Sequence, residues 1–295
     1  MYNLEEYTVC KTDSEEWGRY HAIYRLSNIN EWMPLSFQGE IDRYKKVDFC
    51  YWVIKDNKRI GGALIKPNML KCVFVIPPFS NKRILLEKLS LYVDSISVRN
   101  EDIQVPDVDL KSVEDYESLG YKREIINKLM VCATNTFDVD WGEEYKVISP
   151  KIEHSEDMAQ LYYETYSKSN FSYIASQSYD FQVSSVKVYF EHIKSTNVPN
   201  DWSTLIYHAP TKKLIAACTV GLINGLPYIL DFVVHPKFQG NRLATKMMKR
   251  TLSVTANKYP AIRLNVTVGN DAEMFYNKLG FISLTENIQM KRVVL

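Results

Sequence analysis

The chain lacks most of the features that assign a sequence quickly. It has no Cys-x-x-Cys pair, and its five cysteines, Cys10, Cys50, Cys72, Cys132 and Cys218, are odd in number. That pattern supports neither a disulfide framework nor a zinc site, so the thiols read as buried and reduced, and no metal is expected. Charge of one sign is also missing. The 36 basic side chains nearly cancel the 35 acidic ones, which argues against nucleic acid or an anionic membrane as the main partner. No apolar run approaches the roughly 18 residues that span a bilayer, and the first seven residues, Met1 to Tyr7, have neither a basic start nor an apolar centre. A signal peptide and a membrane segment are therefore not expected, and the cytoplasm is the expected location. A G-x-x-x-x-G-K-[ST] loop is absent as well, which sets aside a Walker-type nucleotidase.

What is present suffices for well-formed cores. With 46% apolar and 24% charged residues over 295 positions, the chain has the balance of a folded protein of one large or two ordinary domains. Asp13-Ser14 before Glu15-Glu16 starts a helix whose face carries Trp17, Tyr20, Tyr24 and Ser27. Tyr51–Ile54 and Ile60–Ile65, joined by a turn at Asp56-Asn57, read as a hairpin, and Cys72–Ile76 as a third strand. A helix through Ile84, Leu85, Leu89 and Tyr92, a strand at Ile103–Val105, a helix at Val113–Leu119 and a strand about Ile125 to Val131 complete this half. Residues 135–142 carry turn formers without a period, so the boundary is placed there: a first domain at 1–134, a linker at 135–142 and a second domain at 143–295.

In the second half a strand at Tyr145–Ile148 is followed by a helix capped about His154 to Asp157 and another at Val183–Ile193. Strands at Leu205–Tyr207, Leu214–Val220 and Tyr228–Val234 come next, then a helix, a strand at Ile262–Val268, a short helix at Ala272–Lys278 and a final strand pair over 281–294. Two strings repeat at nearly one offset. Phe74-Val-Ile-Pro-Pro78 parallels Phe232-Val-Val-His-Pro236, and Tyr116-Glu-Ser-Leu-Gly-Tyr121 parallels Tyr276-Asn-Lys-Leu-Gly-Phe281, which suggests duplication.

The clearest chemical statement lies after the strand that ends at Val234. Pro236 closes the strand, Gly240-Asn241 turns the chain, and Leu243, Met247, Met248 and Leu252 follow helical spacing. A strand thus delivers a helix N-terminus, whose free N–H groups from Gln239 to Ala244 suit a diphosphate. Val234-His-Pro236 with Gln239-Gly-Asn-Arg-Leu-Ala244 resembles the acetyl-CoA motif of the GNAT N-acetyltransferase superfamily, V-x-P followed by Q/R-x-x-G-x-G/A, with Arg242 where the family usually has a glycine. Asn270, Ala272, Tyr276 and Gly280-Phe281 resemble its second signature, N-x-x-A-x-x-x-Y-x-x-x-G-F, with Asn270 one position nearer the alanine than the pattern has it. In the first half the corresponding segment, Phe79 to Leu85, lacks the Gln-Gly pair, so no CoA is expected there.

The resemblance implies an α/β protein of two tandem GNAT-like domains, each a mixed, mostly antiparallel sheet flanked by helices, the first a degenerate copy. It implies acetyl-CoA as co-substrate, held by Phe232, Val233, Val234, Gln239, Gly240, Asn241, Arg242, Leu243, Ala244, Thr245, Asn270 and Tyr276. In it a strand bulge frees the N–H near Val233 for the acetyl carbonyl, Asn270 caps the short helix, and Tyr276 aims its phenol at the CoA sulfur. Asp231, the only charge in its strand, is the candidate base or ammonium anchor, or else a structural acid paired with a nearby cation. The expected activity is N-acetylation of the primary amine of a small molecule by direct transfer, since neither motif holds a cysteine to carry an acyl group. The alternative is a non-catalytic CoA-binding regulatory or interaction module. Trp17, Trp32, Tyr162, Tyr163 and Tyr166 either line a pocket or fill cores, His154, His192 and His235 receive no chemistry, and homo-oligomerisation is left open.

Overall fold

A computed structural model describes residues 2–4, 6–26 and 37–294. Ser27 and Trp32, named above, lie outside them. The backbone separates into two compact units. Unit 1 comprises Met1–Leu129, Thr267–Asn270 and Leu284–Leu295; unit 2 comprises Met130–Val266 and Asp271–Ser283. Residues 134–142, which include the expected linker, form no regular element.

Unit 1 opens with a hairpin of β1 (Tyr2–Leu4) and β2 (Tyr7–Lys11). Helix α1 (Ser14–His21) begins where expected, with Asp13 accepting from the Glu16 N–H at 2.9 Å, and runs into a π-helical turn at Ala22–Leu26. Helix α2 (Phe37–Tyr44) follows. Strands β3 (Cys50–Lys55), β4 (Lys58–Lys66) and β5 (Met69–Val75) form a meander, and Asp56 and Asn57 both take positive φ, as a type I′ hairpin turn demands. Then come α3 (Lys82–Ile96), β6 (Asp102–Val108), α4 (Val113–Ser118) and β7 (Lys122–Ala133). The strand order β1-β2-β3-β4-β5-β6 is antiparallel except at β5/β6, where Met69 opposes Gln104 in parallel. One core gathers Leu85, Leu86, Leu89 and Val93 of α3 over Ile65, Val73 and Ile103; a second is aromatic, with Trp17, Tyr44, Trp52 and Phe74.

In unit 2, β8 (Tyr145–Ile148) precedes α5 (Ser155–Tyr166), α6 (Ser172–Ala175) and α7 (Tyr179–Thr196). Strands β9 (Thr204–His208), β10 (Lys213–Ile223) and β11 (Leu226–Val234) then lead to α8 (Leu243–Ala256), β12 (Ala261–Thr267) and α9 (Ala272–Lys278). The order β8-β9-β10-β11-β12 is again antiparallel up to a parallel last step, with Tyr228 opposite Arg263. Its core gathers Met158 and Tyr162 of α5, Val186 and Tyr189 of α7, and Met247, Met248 and Leu252 of α8. Both units are therefore mixed, mostly antiparallel sheets flanked by helices. Each parallel bridge repeats the other: both of its partners are shifted by 159 positions between the units.

The end of the chain departs from expectation. In place of a strand pair over 281–294, one 12-residue strand, β13 (Ile282–Val293), runs through. From Leu284 onward it belongs to unit 1, where Met290 to Val293 pair antiparallel with Val105 to Asp102 of β6. The partner that holds it as one strand, β6, lies far away in sequence and leaves no local spacing to read.

Four of the five free cysteines are buried, and Cys10 is partly exposed. Among the described residues no helix is long and apolar enough to cross a membrane, and no group of three metal-ligating side chains occurs. Gly61 marks the tightest packing point in β4: a Cβ there would stand 2.5 Å from the Phe74 carbonyl oxygen and 2.7 Å from Leu85. Gly61→Ala is expected to cost about 1–3 kcal/mol or more through forced displacement of β5 and α3, read as a lowered urea midpoint at unchanged slope.

Candidate functional site

Strand β11 is irregular where the site is built. Thr219 opposes Asp231 but Val220 opposes Ile229, so Leu230 is an extra residue bulged out of the ladder. The Val220 N–H beside the bulge donates to Ser203 Oγ at 2.9 Å, and Ser203 Oγ also accepts from Tyr189 OH at 3.0 Å. On its other side β11 meets β12 through the single bridge at Tyr228. Beyond that point the stretch with Phe232, Val233 and Val234 has no ladder partner on this edge among the described residues, which leaves backbone polar groups there for another partner.

The chain then enters a 3₁₀ turn at Pro236–Phe238 and reverses through Gly240, with φ of 83°, and Arg242, with φ of 58°. Arg242 thus stands in the left-handed conformation that glycine adopts at little cost. The backbone there is built for glycine although the side chain is arginine; that side chain is exposed and makes no ion pair among the described residues. Short side-chain bonds brace the loop: Gln239 Nε2 donates to the Val234 carbonyl at 3.2 Å, Asn241 Nδ2 to that of Phe238 at 3.2 Å, and the Lys237 N–H to His235 Nδ1 at 3.2 Å. The Gln239 side chain thus ties the strand end to the turn.

The first backbone bond of α8 runs from the Lys246 N–H to the Arg242 carbonyl, at 3.0 Å. The N–H groups from Gly240 to Thr245 have no acceptor among the described residues. Six consecutive amides at a helix start carry partial positive charge and fit a diphosphate. A Cβ at Gly240 would meet nothing within 4 Å, so the space beside Gly240 is open.

Asp231 follows the bulge. Its Oδ1 accepts from Tyr166 OH at 2.9 Å and its Oδ2 from Thr219 Oγ1 at 3.1 Å, while its own N–H donates to Thr219 Oγ1 at 3.0 Å. The partners are hydroxyls; no cation pairs with Asp231 among the described residues. Burial pushes its pKa above the ordinary carboxylate range, and the two hydroxyl bonds oppose that rise without cancelling it. Tyr166 is in turn driven well above the usual phenol value by burial and by the Asp231 charge, so it stays a donor.

Tyr276 is buried on α9 among Phe232, Phe275 and Phe281, with ring centroids 5.3–6.1 Å away. Its hydroxyl bonds to no described residue, and burial followed by the nearby Cys218 raises its pKa, so it holds its proton. Asn270 stands two residues before the start of α9. The helix starts at Ala272 with Asp271 in the cap position and no side-chain cap bond, while the Asn270 N–H donates to the Thr267 carbonyl at 3.0 Å. Asn270 belongs to the short stretch that clusters with unit 1.

Three supporting residues had no separate signal. Tyr166, named only among aromatics, supplies the bond to Asp231 from 65 positions away, and Thr219 and Ser203 sit in an apolar strand and a turn. The aromatics divide: Trp17 and Tyr162 fill cores, Tyr163 is 39% exposed, and Tyr166 faces the carboxylate.

Residues 172–295 match the family model described as the acetyltransferase (GNAT) domain. No curated protein matches the chain by sequence. Among solved structures, the chain is similar to a GCN5-related N-acetyltransferase from Sphaerobacter thermophilus, at 11% identity over 99% of this chain and 97% of that one, with a TM-score of 0.75. It is also similar to a tandem GNAT protein from the clavulanic acid biosynthesis pathway, at 12% identity over 98% and 99% of the two chains, with a TM-score of 0.63. A third likeness is to a GNAT-family acetyltransferase from Colwellia psychrerythraea, at 12% identity over 97% and 99%, with a TM-score of 0.57. At these identities the likeness is one of fold, and the fold is that of tandem GNAT-like domains.

Proposed function

We propose that unit 2, which holds most of the stretch matching the GNAT domain, works as an N-acetyltransferase, moving an acetyl group from acetyl-CoA directly to a primary amine of a small molecule. The observation that carries this reading is the row of amides from Gly240 to Thr245, left without acceptors just beyond the strand that holds Asp231. When bound, acetyl-CoA supplies an activated acetyl thioester. The amides with Gln239 to Thr245 would hold its diphosphate, and the open edge of Phe232, Val233 and Val234 would hold its arm. Asn270 is kept as an arm contact by the motif alone.

Asp231, ionised, would anchor the acceptor's ammonium and take its proton at a carboxylate oxygen; an amine with a pKa near 10.4 needs such a base. Tyr276 keeps its phenol proton available for the departing sulfur. Cys218 offers no acyl-carrying route: it is fully buried, shares a contact with Thr251 Oγ1 at 3.4 Å, and its thiol is pushed up to about 12.

Unit 1 supports one CoA per chain. At the start of α3, Asn81 Oδ1 accepts from the Ile84 N–H at 3.1 Å, the Lys82 N–H donates to Ser80, and Lys82 Nζ pairs with Asp109 and Ser112. The chain itself thus occupies groups that stand open in unit 2. Calorimetry is expected to give one CoA per chain, and Gly240→Ala, which strains a φ of 83° and places a methyl in the diphosphate's space, is expected to weaken CoA binding by roughly tenfold or more with a small fall in Tm. Two sites per chain would overturn the asymmetry. The activity itself is tested by thiol release from acetyl-CoA with amino acids, polyamines, aminoglycosides and peptides; CoA binding with no release across small amines would replace the enzyme by a regulatory module.

A further inference from the structure

Unit 1 keeps a polar pocket where its counterpart in unit 2 holds the candidate acceptor site. Counted from the helix start, His21 of α1 takes the place of Tyr162 of α5, and both are buried. Arg25 falls in the turn that continues α1, close to the place of Tyr166. Cys72, with φ of 55°, sits at an irregularity of β5 between Gly62↔Phe74 and Leu64↔Lys71, as Leu230 and Asp231 do in β11. The position is retained and its chemistry is changed. Asp107 is already satisfied: Arg25 pairs with it at 3.0 Å, and the Cys72 N–H donates to it at 3.1 Å.

Glu40 and His21 are different. They line a pocket of about 330 Å³ together with Arg43, Tyr44 and Lys71. Both are 2% exposed, yet neither carboxylate oxygen of Glu40 and neither ring nitrogen of His21 has a hydrogen-bond partner among the described residues. They do not satisfy each other, being 3.9 Å apart, and Arg43 reaches Glu40 only at 3.7 Å from a half-exposed position. A buried polar atom without a partner is costly, so these four atoms of two pocket-lining residues point to a missing partner rather than to a packing element. Burial and the neighbouring cations Arg25, Arg43 and Lys71 keep His21 neutral, with its pKa lowered to about 2. It can therefore accept one hydrogen bond and donate another. Tyr44 packs against His21 at 4.9 Å and closes the apolar side. Lys71, which also lines the pocket, makes no ion pair among the described residues and, with Arg43, offers positive charge to an anion.

We propose that this pocket of unit 1 is a non-catalytic binding site for a free α-amino acid, its ammonium donating to Glu40 and His21 and its carboxylate facing Arg43 and Lys71. The volume lies at the low end for ligand pockets, which suits a molecule of that size. Nothing in the proposal depends on acetyl transfer by unit 2. The test is calorimetric titration of the full chain with glycine, L-serine, L-glutamate, L-lysine and L-arginine, each beside its N-acetyl form and its decarboxylated amine. At least one free amino acid is expected to bind one per chain, with both modified forms weaker by tenfold or more.

Glu40→Gln and Lys71→Met are each expected to weaken that binding at least tenfold while CoA titration is unchanged, and Lys71, being partly exposed, keeps the test open should the Glu40 variant misfold. Failure of every amino acid to bind at millimolar concentration overturns the proposal. So does binding that survives Lys71→Met and is lost in Asp231→Asn, which places the ligand in unit 2.

Discussion

Asp231→Asn is expected to lower kcat by roughly 10²–10⁴-fold, the usual worth of a positioned general base, with CoA affinity within about twofold of wild type. The substitution keeps volume and leaves an oxygen to accept from Tyr166, so the loss falls on charge rather than packing. The pH dependence carries the argument. Burial holds the Asp231 pKa above its ordinary value, so the carboxylate is lost as pH falls through that raised pKa, and the acid limb of kcat/KM is expected above the usual carboxylate range near 3.9. In the variant that limb flattens.

Stability gives the opposite sign from an ion pair. A raised folded pKa contributes stability that is present below the unfolded pKa and lost as pH rises through the folded one. Replacing Asp231 is therefore not expected to lower Tm at neutral pH. Wild-type turnover with an unchanged acid limb would make Asp231 a structural acid held by two hydroxyls.

How much of this was legible in the sequence depends on how local each feature is. The turn into α8 is encoded by neighbours: Pro236 closes a strand, Gly240 takes a positive φ, and Leu243, Met247 and Met248 share a face. The Asp13 cap and the Asp56-Asn57 turn are likewise settled within four residues. The duplication showed through two short strings and reappears as a common shift of the parallel bridges.

What escaped is what distance decides. The opening hairpin is too short, and broken by Glu5-Glu6, for a period-2 pattern to register. The single strand β13 is imposed by β6, nearly two hundred positions earlier. Tyr166 meets Asp231 across 65 positions and Arg25 meets Asp107 across 82, so neither pairing leaves a spacing to read. His21 and Glu40 escaped for a related reason: each looks like a surface helix residue until the fold buries both without partners.

Tyr276→Phe separates chemistry from packing more cleanly than any other substitution in unit 2. The ring lies against Phe232, Phe275 and Phe281, and phenylalanine keeps all three contacts. The hydroxyl bonds to no described residue, so its removal leaves no acceptor stranded, and Tm is expected to hold or rise slightly. A purely structural tyrosine would therefore show no change in rate.

As the proton donor to a leaving thiolate whose conjugate acid has a pKa near 8.5, Tyr276 is expected to contribute roughly ten- to a thousand-fold to kcat, with CoA binding and acceptor KM retained. Burial keeps the proton on the phenol throughout the neutral range, so the donor is present when the thiolate forms, although the raised pKa makes its transfer to that thiolate uphill. The deciding measurement is a single-turnover rate with the acceptor found in the amine screen. A slowed chemical step at unchanged Tm identifies the phenol as the acid, and an unchanged one assigns the proton to water and Tyr276 to the core.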